Sequence, residues 1–230
     1  MQNIIIATIK EWNIKNYFKI KELYKYKYNF FLISSNEELT KEYIDKINPK
    51  YIFFPHWSNI IKKEIYLSFN CVVFHMTDLP YGRGGSPLQN LLIRGIYDTK
   101  ISAIKVEHGI DTGNIYIKKD LNISKGNATD IFNKISKIIF ETMIPKILNN
   151  NIIPKKQTGK VVTFKRRMEE QSNITTLKNK SINNMYDFIR MLDADGYPNA
   201  YIQLDNIKVL LSNVEINNNK LIGRFEINYE

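Results

Sequence analysis

Cysteine is nearly absent from this chain of 230 residues, and its one thiol, Cys71, excludes an intrachain disulfide or a Cys-rich zinc site. That scarcity fits a reducing, cytoplasmic setting. No apolar stretch approaches the roughly 18 residues of a membrane span, and the N-terminus runs straight into a strand-like segment without a secretory pattern. No membrane association is expected. Glycine is missing after the first apolar run, where Ala7-Thr8-Ile9-Lys10 closes off a dinucleotide fingerprint. GRGGS at 82–86 lacks the Lys-Ser/Thr of a phosphate-binding Walker loop. The three histidines, His56, His75 and His108, are too scattered for a ligand spacing, so no metal is expected. A net charge of +10 permits a nucleic acid or phosphate-bearing partner. Lysine is nevertheless mixed with Ile, Asn and Glu along the whole length, with no run of five or six like charges, which reads as a solvated surface.

With 43% hydrophobic and 24% charged residues, the chain can bury one ordinary core and a small appendage. Apolar runs at 3–9, 30–33 and 51–54 alternate with helical patterns, one carrying Ile14, Tyr17 and Phe18 and another spanning 37–47. This alternation implies an α/β fold, a parallel sheet with helices packed on both faces. Val72, Val73 and Phe74 read as a short buried strand ending at His75, and Ser86-Pro87 as an N-cap opening a helix to about Tyr97. Strands at 100–107 and 114–121 and a long helix at 127–148 complete a domain spanning 1–167. Residues 168–230 read as a small C-terminal α+β appendage: a helix bearing Ile182, Met185, Tyr186 and Ile189, then apolar runs at 200–204, 207–214 and 221–227 with a hairpin turn at Asn217-Asn218-Asn219.

Chemistry falls to His75 and to Asp111 in the Gly-rich segment 109–113. Taken singly, a His after an apolar run is a structural hydrogen-bonding group and an Asp between glycines is a turn former. Taken together they form an acid/base pair, an imidazole able to donate to a developing oxyanion and a carboxylate able to orient it. Arg83 and the amides of Gly84, Gly85 and Ser86, at a helix start, read either as solvated loop groups or as a site for an anionic part of a ligand. The segment 55–60 that follows the third strand, with Trp57, reads equally as an ordinary loop or as a pocket wall.

His75-Met76-Thr77-Asp78-Leu79-Pro80, Gly84 and Ile110-Asp111-Thr112-Gly113 together resemble the N10-formyltetrahydrofolate-dependent formyltransferases over roughly residues 50–165. The resemblance implies a Rossmann-like formyltransferase sheet, N10-formyltetrahydrofolate as formyl donor, and His75 and Asp111 as the catalytic residues. It also implies folate contacts at Trp57, Ser58, Ile60, Glu107 and Gly109, and substrate contacts at Asp78, Arg83, Gly84, Gly85 and Ser86. One position departs from the family: Val73 stands where an Asn is expected two residues before the His. Asn70 lies at an odd offset, on the opposite face of a regular strand. Either a bulge or another donor then replaces the amide, or His75 and backbone groups act alone.

Residues 168–230 are shorter than the barrel domain of methionyl-tRNA enzymes and longer than the tail of the purine-pathway enzyme. The segments HWS, FHMTDLP and YGRGGSP look most like bacterial sugar N-formyltransferases. The resemblance therefore implies transfer to a nucleotide-linked amino sugar, of the pseudaminic-acid type, for surface glycan biosynthesis. No nucleic acid partner is expected and a homodimer is allowed. Methionyl-tRNA or glycinamide ribonucleotide formyltransferase is the alternative within the family. A catalytically inactive folate or sugar-nucleotide binding module, or a nucleic-acid-binding protein, is the alternative outside it.

Overall fold

The computed structural model describes residues 1–229. In chain order the elements are β1 (Gln2–Ala7), α1 (Glu11–Leu23), β2 (Tyr28–Ile33), α2 (Lys41–Ile47), β3 (Tyr51–Pro55), α3 (Lys63–Ser68), β4 (Cys71–His75), β5 (Tyr81–Gly84), α4 (Pro87–Leu92), β6 (Asp98–Lys105) and β7 (Ile115–Asn122). There follow α5 (Ala128–Ile138), α6 (Ile144–Asn149), β8 (Val162–Phe164), α7 (Ile182–Arg190), β9 (Ala200–Leu204), β10 (Ile207–Asn217) and β11 (Lys220–Tyr229). Among the described residues no helix is long and apolar enough to cross a membrane.

One compact unit comprises residues 1–83, 100–121 and 133–163. It holds a six-stranded sheet in the order β2-β1-β3-β4-β6-β7. The consecutive residues Ile4, Ile5 and Ile6 are all fully buried, which requires cover on both faces of the sheet. The mixed α/β, Rossmann-like architecture expected from the alternating pattern is therefore present. β1 runs parallel to β2 and β3, with Ile5 opposite Phe31 and Ile52, and β3 runs parallel to β4. β6 runs antiparallel to β4, pairing Val72 with Lys105 and His75 with Ser102.

Helix faces follow burial more than composition. In α1 the buried positions are Asn13, Tyr17 and Ile20, at helical spacing, and Phe18 is 58% exposed instead of joining the apolar stripe. Asn13 is buried because its amide donates to Thr8 Oγ1 at 3.0 Å and to the Pro55 carbonyl at 3.1 Å. α2 begins at Lys41 and not at Glu37, since Thr40 is the residue whose hydroxyl caps the Tyr43 N–H. The expected helix over 127–148 is present but contains a π-helical turn at Ile139–Met143 between α5 and α6. Pro145 has no N–H to return to the carbonyl of Glu141, so the ladder widens there.

The other unit comprises 84–99, 122–132 and the described residues from 164 onward. Its sheet is the antiparallel meander β9-β10-β11, with β10 and β11 joined by a turn in which Asn218 and Asn219 both take positive φ. The unit closes around Arg190, 1% exposed, whose Nε donates to Asp187 at 2.7 Å. Its two terminal nitrogens donate to the carbonyls of Gly126 at 2.8 Å and Ile123 at 3.0 Å. Tyr97 completes the cluster by donating to the second Asp187 oxygen at 2.7 Å. A charge this deeply buried is tolerated because its donors are met. α4 ends at Leu92, earlier than the expected Tyr97, and Ser86 holds the expected N-cap position, but at φ 48 and with no side-chain bond into the helix. Its hydroxyl instead accepts from the Arg167 N–H at 3.0 Å.

Candidate active site

β4 delivers His75 as its last residue, 9% exposed, with the strand registered against β3 and β6 on either side. The imidazole Nε2 lies 2.7 Å from the carbonyl oxygen of Gly82. A carbonyl can only accept, so Nε2 carries a hydrogen and donates it. Thr77 Oγ1 donates to the same oxygen at 3.3 Å, and Ser102 Oγ donates to the Thr77 carbonyl at 2.7 Å. The turn after His75 is thus tied both to β6 and to the segment carrying Gly82.

The other ring nitrogen, Nδ1, faces Asp111 Oδ2 at 3.4 Å. A carboxylate oxygen also only accepts, so this approach is a hydrogen bond when Nδ1 too is protonated. The ring is oriented by the short contact to Gly82, and the longer contact to Asp111 is the edge at which protons can be exchanged.

Asp111 does not reach His75 by lying at the same strand end. The Val106 N–H donates to the Cys71 carbonyl at the opposite end of β4, four residues and about 13 Å of strand away from His75. The loop 106–114 must therefore turn back along the strand. Asp111 at φ 52 and Gly109 at φ 97 make the reversal, and Thr112 Oγ1 closes it on the His108 carbonyl at 2.7 Å. At Gly113 the backbone packs so closely on β6 that a Cβ would lie 1.8 Å from the Lys105 oxygen.

Gln157, which no sequence pattern singles out, completes the loop. Its Nε2 donates to the carbonyls of Asp111 and Gly113, each at 2.8 Å. Its Oε1 accepts from Arg83 Nε at 3.1 Å and Nη2 at 2.8 Å. Gln157 sits in PKKQTGK, a polar stretch without periodicity, so nothing local marks it.

The remaining expected contacts divide. Asp78 is held by Lys118, 2.5 Å away, and by Lys100 at 3.6 Å, while Lys118 also donates to the Leu79 carbonyl. Arg83 is directed onto Gln157. Gly84, Gly85 and Ser86 fall in the other unit, where the Gly85 N–H donates to the Phe164 carbonyl at 3.1 Å and an added Cβ would strike Arg166 at 2.6 Å. Trp57 packs edge-on against Phe54 and beside the core, with its indole N–H buried and unpartnered among the described residues. Ser58 and Ile60 are exposed, Ile60 at 90%. Glu107 lies 3.5 Å from Lys105, and Gly109 is exposed. Neighbouring His56, at φ 52, stacks edge-on with Trp12. Burial, aided by Lys10, pushes its pKa down to about 4.

The missing family Asn is not replaced by a bulge, since β4 keeps continuous register with both neighbours. Nor does Asn70 serve: its amide donates to the Lys50 carbonyl at 3.1 Å. Val73 itself packs against the hydrophobic core. Among the described residues no cluster of three or more His, Cys, Asp or Glu could hold a metal ion.

A solved structure of a methionyl-tRNA formyltransferase from Clostridium thermocellum is 52% identical to this chain, covers all of both chains and superimposes with a TM-score of 0.97. The chain belongs to the formyltransferase family. Residues 169–228 match the family model for the C-terminal domain of methionyl-tRNA formyltransferase. Methionyl-tRNA formyltransferase of Rickettsia typhi is 31% identical over 137 residues, 58% of this chain and 45% of its own. The chain thus spans about half the length of the curated relatives it matches. A sugar N-formyltransferase from Shewanella sp FDAARGOS_354 is 13% identical with a TM-score of 0.69, a likeness of fold alone.

Two expectations are corrected by these matches. The nucleotide-linked amino sugar is overturned, because the relatives matched in sequence are methionyl-tRNA formyltransferases and the sugar enzyme shares only the fold. The length of 168–230 does not argue against a tRNA enzyme, for 169–228 matches the family model for the C-terminal domain of methionyl-tRNA formyltransferase although its sheet has three strands. The expectation of no nucleic acid partner falls with it. Dispersed lysines do not exclude RNA, since a net charge of +10 attracts a polyanion without needing a contiguous run.

Proposed function

We propose that this chain transfers the formyl group of N10-formyltetrahydrofolate to the amino group of methionyl-tRNA. The observation that carries the reading is the whole-length, 52% identical match to the Clostridium thermocellum methionyl-tRNA formyltransferase. The His75–Asp111 pair supports it with the chemistry required. The same reading divides the chain into a catalytic segment, 1–167, and a C-terminal segment, 168–230; the family match over 169–228 supports that division.

The folate supplies a formyl carbon activated by its bond to N10. Trp57, Ser58, Ile60, Glu107 and Gly109 would hold it, on the loops leaving β3 and β6, the two neighbours of β4. The unpartnered indole N–H of Trp57 fits this assignment, as an unmet buried donor of the kind a bound heterocycle satisfies. His75, held through Nε2 on Gly82, turns its Nδ1 edge toward Asp111, and a protonated Nδ1 can donate to a carbonyl oxygen that gains charge as the amine adds. Asp111 accepts the proton that the attacking amine must lose and relays it to the N10 nitrogen as the bond from the formyl carbon to N10 breaks and tetrahydrofolate departs. Val73 offers no amide to that oxygen, so His75 carries more of the stabilisation here than it would beside an Asn.

The test is direct. Purified full-length protein is incubated with N10-formyltetrahydrofolate and methionyl-tRNA, and the amino acid released from the tRNA is analysed by mass. Formylmethionine is expected; unmodified methionine under saturating donor would refute the reading.

A further inference from the structure

We propose that Gln157 and Arg83 are positioning residues that set Asp111 against His75, an inference that rests on the formyl-transfer reading of that pair. Five residues form a closed circuit. His75 Nε2 donates to the Gly82 carbonyl, and Gly82 is bonded covalently to Arg83. The Arg83 guanidinium forks onto Gln157 Oε1 through Nε and Nη2. Gln157 Nε2 then clamps the carbonyls of Asp111 and Gly113, and Asp111 Oδ2 faces His75 Nδ1.

The orientation of the Gln157 amide follows from chemistry. Guanidinium nitrogens only donate and peptide carbonyls only accept, so the oxygen must face Arg83 and the nitrogen must face the loop. A carboxylate at 157 would still satisfy Arg83 but would set its second oxygen against two carbonyl oxygens. No hydrophobic side chain reproduces either half.

The circuit answers a mechanical problem posed by the fold. Asp111 belongs to a loop that leaves β6 beside the far end of β4 and turns back, and it sits in a left-handed conformation that costs an Asp strain unless its surroundings hold it. Gly113 abuts β6, which fixes one side of the loop. The two amide hydrogens of Gln157 grip it on either side of Thr112. Because Gly82 and Arg83 are adjacent, one short segment holds the imidazole with its carbonyl and the carboxylate loop with its guanidinium. Any shift of that segment moves acid and base together, which keeps their separation constant.

Two measurements on the full-length chain test this. In the first, Gln157→Ala and Gln157→Glu should each lower kcat by about 10- to 100-fold, the cost of a carboxylate displaced by about 1 Å. KM for methionyl-tRNA and donor should stay within about threefold, and Arg83→Lys should keep more activity than Arg83→Ala. In an Asp111→Asn background, Gln157→Ala should cause no further loss, since its effect passes through the carboxylate. Full kcat in Gln157→Ala, or the same loss repeated in the Asp111→Asn background, overturns the proposal. The second measurement needs no turnover. The ring 15N resonances of His75, identified among three histidines by their loss in His75→Gln, should shift at Nδ1 in Gln157→Ala while those of His56, which packs on Trp12 outside the loop, stay fixed. Unchanged His75 resonances overturn the positioning role even if the parent protein formylates nothing, and a parent that formylates nothing while these resonances shift refutes only the proposed function.

Discussion

Gly113→Ala isolates the geometry of the carboxylate loop from its chemistry. The added methyl would sit 1.8 Å from the Lys105 carbonyl oxygen, where real contacts stay beyond 3.0 Å, so loop and strand must separate by at least about 1.2 Å. The obstacle is backbone, which no rotamer change relieves. Two bonds constrain where the displacement goes: Lys105 N–H donates to the Asn114 carbonyl at 2.8 Å, and Gln157 holds the Asp111 and Gly113 carbonyls. If the loop moves, Asp111 retreats from a His75 contact already at 3.4 Å, and the pair passes beyond hydrogen-bond reach. A misplacement of this size costs about 100-fold in kcat. The loss in stability should be of similar size, about 1–3 kcal/mol for one strained backbone bond. The assay pairs single-turnover formylation of methionyl-tRNA with thermal melting. A Gly113→Ala protein that keeps parental kcat would show that Asp111 need not stand where this structure holds it, and the acid/base assignment would fail.

His75→Ala and Asp111→Asn should each lower kcat by about two to four powers of ten, and the double variant should cost far less than the product, as expected of groups acting as one unit. Arg190→Met should raise the fraction unfolded in urea by an amount equivalent to about 3–5 kcal/mol, because Asp187 is left buried beside Tyr97 without its cation; a midpoint within error of the parent would refute this. His56 gives a pH dependence whose sign is fixed by its depressed pKa. The unfolded chain takes up a proton below pH 6.5 and the folded ring does not until about pH 4, so stability should fall across that window by roughly 3 kcal/mol at most. His56→Asn, which keeps the left-handed backbone, should flatten the curve of urea midpoint against pH.

The sheet was legible because its strands are buried on both faces and so read as unbroken apolar runs: Ile4–Ile6 and Phe53–Phe54 lie in segments too short for a helix and too apolar for a loop. α3 was not legible, because a six-residue helix that buries only Ile65 leaves no periodicity to detect. Ser86-Pro87 carried the composition of a helix start, yet the serine's hydroxyl was claimed by a residue 81 positions later, a contact no local pattern contains. Gln157 was hidden for the same reason, at 46 and 74 residues from its partners. The substrate was misjudged from the length of the C-terminal segment, a quantity that constrains how much can be built but not what it binds.

Val73 shows where reading the residues went furthest and where the structure adds the decisive step. An odd offset placed Asn70 on the wrong face, and its amide is indeed engaged elsewhere, at Lys50. A bulge would have rescued a donor, but the register from Cys71 to His75 is unbroken. Since Val73 packs into the same core as Cys71, an Asn there would have to place a polar amide against buried apolar groups. The strand therefore presents an imidazole with no neighbouring amide, and a network that holds that imidazole at both nitrogens becomes more important: the ring's orientation is the one electrostatic resource β4 itself contributes, and Gly82, Arg83 and Gln157 are the groups that fix it.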